Sequence, residues 1–243
     1  MSDDGARDRY VSAIAGLGVD PERYATYLKR LFAGIALEGR SLLDIGGGSG
    51  LISFYAAVHG AEVVCLEPNA AGSNPEMEAS FETLANRLDR SAQVHLDRRT
   101  LQQLDVDAAS YDVIVLHNAV NHLDEEACVA LPRDESARRT FVQIFSMLRR
   151  MLRPGGDLLI ADCARLNLFG LLRLRNPFVP DIEWGLHQQP RVWAELLREA
   201  GFKKSNARWN PMTRAGRAGR ILLSNWLGAF VTQSHFTLRI RRP

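Results

Sequence analysis

A cluster of glycines directly after a short apolar run constrains the fold of this chain more than any other feature. The stretch SLLDIGGGSG, residues 41–50, predicts a buried strand that ends in a tight turn, and the residues after it have the apolar spacing of a helix. Glycine suits such a turn because it adopts positive φ and lets another molecule approach the backbone closely. Since ligands of open α/β sheets bind where a strand's carboxyl end meets the next helix, the sequence predicts a ligand-binding loop here.

Strand-like and helix-like segments alternate along the chain. The predicted strands cover residues 41–46, 62–68, 92–96, 111–118, 157–163, 203–209 and 234–242, and the predicted helices cover 21–37, 50–60, 73–88, 141–153 and 190–202. Near-continuous apolar strands between helices indicate an α/β fold, with a doubly wound, mostly parallel sheet and helices on both faces. No repeat or linker divides the chain, so we expect a single domain over 1–243. Its parts are a helical lead-in (1–39), a core (40–163), an insert (164–189) and C-terminal helices and strands (190–243).

Three features of the sequence indicate where the protein is located and whether it binds a metal: its cysteines, its histidines and its N-terminus. Cys65, Cys128 and Cys163 are odd in number and form no C-x-x-C pair, which argues against a disulfide framework and a zinc site. The six histidines show no H-x-x-x-H spacing, so no metal is predicted. The first ten residues are charged, and no apolar run approaches the length of a membrane span. We therefore expect a cytoplasmic protein that does not span a membrane.

Charge is distributed unevenly between the two parts of the chain. Residues 1–136 contain 11 basic and 22 acidic residues, a net charge of −11, whereas residues 137–243 contain 19 and 6, a net charge of +13. The basic part is either a solvated surface that pairs with the acidic part, or a surface that holds an anionic substrate or membrane. Both interpretations stay open at this point.

The spacing of the glycines narrows the ligand of the predicted loop. A phosphate loop requires G-x-x-x-x-G-K-[ST], and this stretch contains no basic residue. A nicotinamide or flavin fingerprint requires G-x-G-x-x-G, but counting from Gly46 its last position is Leu51. The remaining pattern is D-x-G-x-G-x-G, formed by Asp44, Gly46, Gly48 and Gly50.

Four stretches together resemble the class I S-adenosylmethionine-dependent methyltransferases. They are LLDIGGGSG, VVCLEPN with its acidic Glu67, YDVIVLHNAVNHL, and MLRRMLRPGGDLLIAD, and they occur in the family's order over residues 40–160. The resemblance implies S-adenosylmethionine as cofactor and a seven-stranded sheet whose last strand is antiparallel. It also makes residues 40–163 the cofactor-binding core and the insert at 164–189 the acceptor side.

The resemblance further implies roles for individual residues. Glu67 would accept hydrogen bonds from the ribose hydroxyls, and Asp44 and Asn118 would lie at the methionine end of the cofactor. Relatives often place an acidic residue for the adenine amine where this chain has Thr100, so adenine would rest on the backbone of Leu101. Each assignment has a structural alternative. Glu67 could be an exposed strand-end carboxylate, Asp44 could accept hydrogen bonds from the loop amides, and Asn118 could be a turn residue.

The chemistry of methyl transfer depends mainly on alignment of the acceptor, and a base is needed only when the acceptor is a hydroxyl. His122, after the fourth strand, is the candidate catalytic base, with capping or packing as its alternative. We expect transfer to a small-molecule acceptor, an oxygen of a metabolite, sugar or lipid-linked intermediate. The basic, apolar insert has two interpretations: a lid over an anionic or amphipathic acceptor, with peripheral membrane contact, or an amphipathic helix packed on the sheet edge, which its pattern slightly favours.

Two other functions stay open. One is an RNA methyltransferase, although the chain has few aromatic residues and no N/D-P-P-Y tetrad, which argues against a nucleic-acid partner. The other is a cofactor-binding subunit without activity, because an intact glycine loop indicates binding and not turnover.

Overall fold

The structure, a computed structural model, describes residues 3–68, 75–89, 93–104, 108–203, 205, 207–210, 219 and 222–243. The chain forms two compact units, residues 1–116 and 117–243. Within the described residues, no helix has both the length and the apolar character needed to cross a bilayer.

The first unit alternates helices and strands after two leading helices. Its elements are α1 (Asp3–Ala13), α2 (Pro21–Leu31), β1 (Ser41–Ile45), α3 (Leu51–Val58), β2 (Glu62–Leu66), α4 (Pro75–Leu88), β3 (Val94–Asp97), a 3-10 turn (Leu101–Gln103) and β4 (Tyr111–His117), whose last residue opens the second unit.

The second unit begins with short helical segments and continues with the longest helix and strand of the described chain. Its elements are a 3-10 turn (Asn121–Leu123), α5 (Glu125–Ala130), α6 (Glu135–Met151), β5 (Leu152–Cys163), α7 (Leu168–Leu171), a 3-10 turn (Trp184–Leu186), α8 (Pro190–Glu199), β6 (Ala207–Trp209), α9 (Trp226–Phe230) and β7 (His235–Arg241).

Seven strands form one sheet in the order β3-β2-β1-β4-β5-β7-β6. In the first unit β1 pairs in parallel with both β2 and β4, and β2 pairs in parallel with β3. In the second unit β7 runs antiparallel to β5 and to β6, and Cys163 lies opposite His235. The predicted doubly wound α/β fold is confirmed, including the antiparallel last strand.

Local sequence explains where the main helices begin and which face they bury. Pro21 occupies the first turn of α2, and the Asp20 side chain caps that helix by accepting from the Arg23 N–H at 3.0 Å. Asp134 caps α6 in the same way. The apolar positions of α6 recur every three or four residues and are buried; they are Ala137, Phe141, Ile144, Phe145, Leu148 and Met151. Trp193 of α8 packs 5.0 Å from the Phe141 ring.

Several element boundaries differ from the sequence prediction. Helix α2 ends at Leu31 instead of residue 37, because the chain turns at Gly34, which has a φ of +75°. Strand β5 begins at Leu152 instead of 157, since the glycines that favour a turn pair with Arg242: the Gly155 N–H donates to its carbonyl at 3.1 Å. The bounds of α1, α5, α7 and α9 were not predicted, although α1 lies in the predicted helical lead-in and α7 lies in the insert, for which an amphipathic helix was one interpretation.

Three predicted segments lie partly outside the described residues. Their undescribed positions are 73–74 of the predicted helix 73–88, 92 of the strand 92–96, and 204 and 206 of the strand 203–209. The described parts form α4, β3 from residue 94 to 97, and the short β6.

Candidate active site

The glycine loop joins β1 to α3 and is held by hydrogen bonds within the first unit. The amides of Gly46 and Gly50 donate to the carbonyl oxygens of Leu66 at 2.8 Å and Gly47 at 2.9 Å. The Gly48 amide donates to Oε2 of Glu67 at 2.8 Å. The loop is therefore fixed to the end of β2, and the amides at the three predicted glycine positions already have acceptors inside the protein.

Two of the loop glycines are required for different reasons. Gly50 caps α3 with a φ of +76°, and a Cβ there would lie 2.6 Å from the ring of Phe81, so the residue has no room for a side chain. Gly48 also has a positive φ, +53°, but a Cβ there would meet only the flexible end of Met77, at 3.4 Å. Packing against Phe81 explains why position 50 requires glycine. At position 48 the missing side chain instead leaves the backbone open to the close approach of a ligand.

Glu67 lies one residue beyond β2 and is partly buried. Its Oε2 accepts from Gly48, and its other carboxylate oxygen accepts no hydrogen bond from the described residues. Its backbone N–H donates to the Asp97 carbonyl at 2.9 Å, which brings Glu67 beside the end of β3. An ionised carboxylate only accepts hydrogen bonds, so Glu67 can bind donors such as hydroxyls while it holds the loop.

Asp44, within β1, is the most buried carboxylate of the loop region, with 1% of its surface exposed. Its Oδ2 accepts from the Ser53 hydroxyl at 2.7 Å, whereas Oδ1 is buried and has no hydrogen-bond partner among the described residues. Burial raises the pKa of Asp44 from 3.8 to about 6; the negative charge of Glu67 adds to this effect and the Ser53 hydrogen bond opposes it. A buried acceptor without a donor is costly unless a ligand or water supplies one.

Thr100 and Leu101 lie after β3 at the start of a 3-10 turn. The Thr100 N–H donates to the side-chain oxygen of Gln103 at 2.9 Å, and Leu101 is buried. The nearest acid in sequence, Asp97, is bound by the Arg99 guanidinium at 2.6 Å, and this arginine lowers the pKa of Asp97. The Asp97 carboxylate therefore already has a cationic partner.

Asn118 and His122, the other two predicted residues, belong to the second unit. Asn118 follows β4, is exposed and has a φ of +51°, a conformation that asparagine tolerates better than most residues. His122 lies in the 3-10 turn after it, with Nδ1 2.6 Å from Oε1 of Glu125 and 55% of its side chain exposed. The structure thus gathers Asp44, the glycines and Glu67 at the β1 and β2 ends.

The second unit also contains a cleft that the sequence did not predict as a whole. Its volume is about 780 Å³, and it is lined by Arg165, Leu166, Gly170, Leu171, Trp184, Gly185, Gln189, Pro190, Arg191, Trp209 and Trp226. Seven of these residues fall between positions 164 and 189, the predicted insert or its edge, but the tryptophans come from three distant segments, which only the folded chain brings together.

A family model of the methyltransferase domain matches residues 19–206. The chain belongs to the class I S-adenosylmethionine-dependent methyltransferases. Ubiquinone biosynthesis O-methyltransferases from Marinobacter nauticus and Brucella ovis are 24% and 26% identical to this methyltransferase over 206 and 204 residues. These alignments cover 79% of the chain in both cases, and 77% and 72% of those relatives.

Solved structures share the fold of this chain. A S-adenosylmethionine-dependent methyltransferase from Mesorhizobium loti superposes with a TM-score of 0.60 at 17% identity, over 93% of this chain and 100% of that one. A second, from Listeria monocytogenes, has a TM-score of 0.60 at 13% identity, over 91% and 99% of the two chains.

S-adenosylmethionine is the cofactor of this enzyme, and the residues of the first unit fit it chemically. The cofactor carries an ammonium group and two ribose hydroxyls, all of which are hydrogen-bond donors. The loop region offers two carboxylate oxygens that accept no hydrogen bond from the described residues, Oδ1 of Asp44 and the second oxygen of Glu67, together with the open backbone at Gly48. Among the described residues, no group of three or more His, Cys, Asp or Glu side chains could hold a metal ion.

Proposed function

We propose that this methyltransferase transfers the methyl group of S-adenosylmethionine to an oxygen of an anionic, partly apolar small molecule bound in the tryptophan-lined cleft. The whole chain acts as one methyltransferase domain in the cytoplasm. The cleft is the observation that carries the proposal. The three cysteines, all described as free and buried, agree with a reducing compartment.

The cofactor-binding part of the proposal rests on the first unit. Glu67 accepts hydrogen bonds from the ribose hydroxyls, and Asp44 accepts from the methionine end through its unpartnered oxygen. Gly46, Gly48 and Gly50 shape the loop around the cofactor, and Leu101 contributes apolar surface and backbone for the adenine, with Thr100 fixing the turn. Asn118 contacts the same end of the cofactor as Asp44. When bound, the cofactor supplies an electrophilic methyl group on a sulfonium sulfur.

The charge of the acceptor follows from two guanidinium groups in the cleft. Neither Arg165 nor Arg191 forms an ion pair or hydrogen bond with the described residues. Elsewhere in the second unit arginines have carboxylate partners, such as Arg239 with Asp157 at 2.9 Å. Two unpaired cations on the wall of one cleft favour a carboxylate or phosphate on the ligand.

The apolar part of the acceptor follows from the tryptophans. Trp184, Trp209 and Trp226 line the same cleft as the arginines. Gly170 of α7 allows Trp184 to pack closely, because a Cβ at Gly170 would lie 2.9 Å from the indole ring. Aromatic walls bind apolar or planar groups, and the few polar groups among them set orientation. Oxygen as the acceptor atom is supported by the relatives, which are named as O-methyltransferases.

Labelled methyl transfer tests the proposal. The enzyme is incubated with methyl-labelled S-adenosylmethionine and a small-molecule cell extract, and the products are separated by anion exchange and identified by mass spectrometry. We expect a labelled methyl ether that is retained on the column. Arg165→Gln and Arg191→Gln should each raise the KM for this acceptor about tenfold or more, because each removes a charge-assisted hydrogen bond.

Arg133→Gln is the matched control, since Arg133 is exposed, lies outside the cleft and should not change the KM. A neutral labelled product, or equal KM values in all three variants, would contradict the anionic acceptor. Tight RNA binding that weakens steeply with salt would instead favour the RNA methyltransferase.

A further inference from the structure

The second unit contains another histidine–carboxylate pair besides His122 and Glu125. Asp162 is the penultimate residue of β5 and is completely buried, with 0% of its side chain exposed, and His187 follows the 3-10 turn at 184–186 with 12% exposed. The His187 Nδ1 atom lies 3.2 Å from Oδ1 of Asp162. Asp162 is thus at the carboxyl end of a sheet strand, where α/β proteins bind their ligands.

Asp162 lacks the partners that stabilise other buried carboxylates. Its Oδ1 accepts from the Cys163 N–H at 2.7 Å, but Oδ2 has no hydrogen-bond partner among the described residues. By contrast, the buried carboxylates of Asp112 and Asp157 are bound by Arg40 and Arg239. A buried carboxylate oxygen without a donor is costly, so Asp162 is available to accept a hydrogen bond from the neighbouring imidazole.

The other titratable groups near the pair are poor proton acceptors at neutral pH. Burial lowers the pKa of His117 to about 4, and burial with the neighbouring histidines lowers the pKa of His235 to about 3. The His235 Nδ1 atom also accepts from the Asn210 amide at 2.6 Å. Burial raises the pKa of the Cys128 thiol to about 12, and the nearby Arg165 guanidinium opposes this effect.

We propose that His187 is the base that accepts the proton of a hydroxyl acceptor and that Asp162 is its positioning residue. This inference rests on the proposed oxygen acceptor. The His187 Nδ1 atom is buried and has no hydrogen-bond partner among the described residues, but Oδ1 of Asp162 is only 3.2 Å away. A small rotation of the ring lets the Nδ1–H donate to Asp162 and leaves the Nε2 lone pair for the acceptor's proton, the division of roles known from catalytic triads. The acceptor oxygen bonds to the methyl carbon as the carbon–sulfur bond breaks and leaves its electron pair on sulfur, and the hydroxyl proton moves to Nε2.

Two observations favour His187 over His122 for this step. The side chains of His122 and Glu125 are each 55% exposed, and an interaction between exposed groups contributes little, whereas those of His187 and Asp162 are 12% and 0% exposed. In addition, Trp184, Gly185 and Gln189, which flank His187 in the chain, line the proposed acceptor cleft.

Nuclear magnetic resonance of the histidine rings tests the pair without an acceptor. In protein labelled at its histidine ring nitrogens, the signals of His187 should show the Nδ1–H tautomer, and Asp162→Asn should shift the ring toward the Nε2–H tautomer, because it replaces a charged acceptor by a neutral amide. Glu125→Gln is the matched control: it should change the ring signals of His122 and leave the tautomer of His187 in place. An unchanged His187 tautomer in Asp162→Asn would overturn the positioning role of Asp162.

Turnover with labelled cofactor and the small-molecule extract tests the chemical role. His187→Gln should lower formation of the methyl ether about a hundredfold or more and abolish the low-pH limb of the rate profile, while calorimetry shows unchanged binding of S-adenosylhomocysteine. His122→Gln should lower the rate less than tenfold. The reverse ranking would return the role to His122. A wild-type product methylated on nitrogen would overturn the oxygen acceptor, whereas a methyl ether that survives His187→Gln would overturn only His187 as the base.

Discussion

Asp44 gives the sharpest test of the site, because its burial makes the protein's stability depend on pH in an unusual direction. The carboxylate is buried beside Ser53, one oxygen has no donor, and burial raises its pKa from 3.8 to about 6. Most buried acids with partners have lowered pKa values and stabilise the protein as the pH rises. Asp44 should do the opposite.

The sign and size of the effect follow from the raised pKa of Asp44. Between about pH 4 and pH 6 the folded protein keeps the Asp44 proton while the unfolded chain loses it, so the free energy of unfolding falls as pH increases. A difference of about two pKa units corresponds to roughly 3 kcal/mol, lost by pH 7 relative to pH 4.

Asp44→Asn removes the charge and keeps the size of the side chain, so it should remove this pH dependence. At pH 8 the cofactor-free variant should be more stable than the parent by about 1–2 kcal/mol, because relief of the buried charge exceeds the loss of the charged hydrogen bond to Ser53. At pH 4, where the parent regains roughly 3 kcal/mol, the variant should be less stable than the parent by about 1–2 kcal/mol. Urea unfolding of both proteins between pH 4 and pH 8 measures these differences.

Asp112→Asn is the matched control, since Asp112 is buried but satisfied: it accepts from Arg40 at 3.1 Å and from the Ser41 N–H at 3.0 Å. This variant should be less stable than the parent at pH 8. Calorimetry should also show weaker cofactor binding by Asp44→Asn. If Asp44→Asn destabilises the protein at pH 8 as Asp112→Asn does, the buried carboxylate is satisfied in solution and the reasoning about Asp44 fails.

Two further substitutions probe the loop. Glu67→Ala should weaken cofactor binding by about 1.5–3 kcal/mol in calorimetry, because it removes a charged acceptor, and Glu67→Gln should cost less since it keeps an oxygen for the Gly48 N–H; equal affinities in all three proteins would place the ribose elsewhere. Gly50→Ala should lower stability in urea by about 2–4 kcal/mol through left-handed strain and the clash with Phe81, whereas Gly48→Ala should cost about 1–2 kcal/mol and mainly weaken cofactor binding. Equal stability of the two variants would refute this distinction.

The sequence predicts the parts of this fold that local patterns determine. The β1 strand, the loop and α3 are adjacent in the chain and carry strong apolar and glycine signals, and the burial of α6 follows from its periodicity. Helix α1 was missed because its apolar residues are few, and its burial depends on distant contacts such as the 2.7 Å hydrogen bond from the Tyr10 hydroxyl to the Leu51 carbonyl. The early start of strand β5 was missed because it also depends on a distant contact. Hydrogen bonds between Arg242 and the two glycines, Gly155 and Gly156, outweigh the tendency of these glycines to form a turn.

The candidate site likewise contains residues that local sequence patterns predict and residues that only the folded chain brings together. Gly48 and Glu67, which are joined by a hydrogen bond, are 19 residues apart in the chain, and each lies in a stretch that the sequence analysis recognises. Asp162 ends the stretch MLRRMLRPGGDLLIAD, but His187 lies beyond an irregular insert and belongs to none of the four stretches, so only the folded chain shows that the two residues meet. Contacts of this kind follow from tertiary packing, which no local period encodes.

The two carboxylates that matter most, Asp44 and Asp162, share a physical property that no structural role explains. Each is almost completely buried, near the carboxyl end of its strand, and has one oxygen without a hydrogen-bond donor among the described residues. A carboxylate that served only the fold would gain stability from donors to both of its oxygens, as Asp112 and Asp157 do. Retaining an unsatisfied charge costs stability in the free protein, and that cost is recovered only when a donor arrives. The measurement that separates these cases is the same for both residues: the asparagine variant should stabilise the free protein and weaken its ligand binding or chemistry, whereas loss of both stability and function would mark a structural carboxylate.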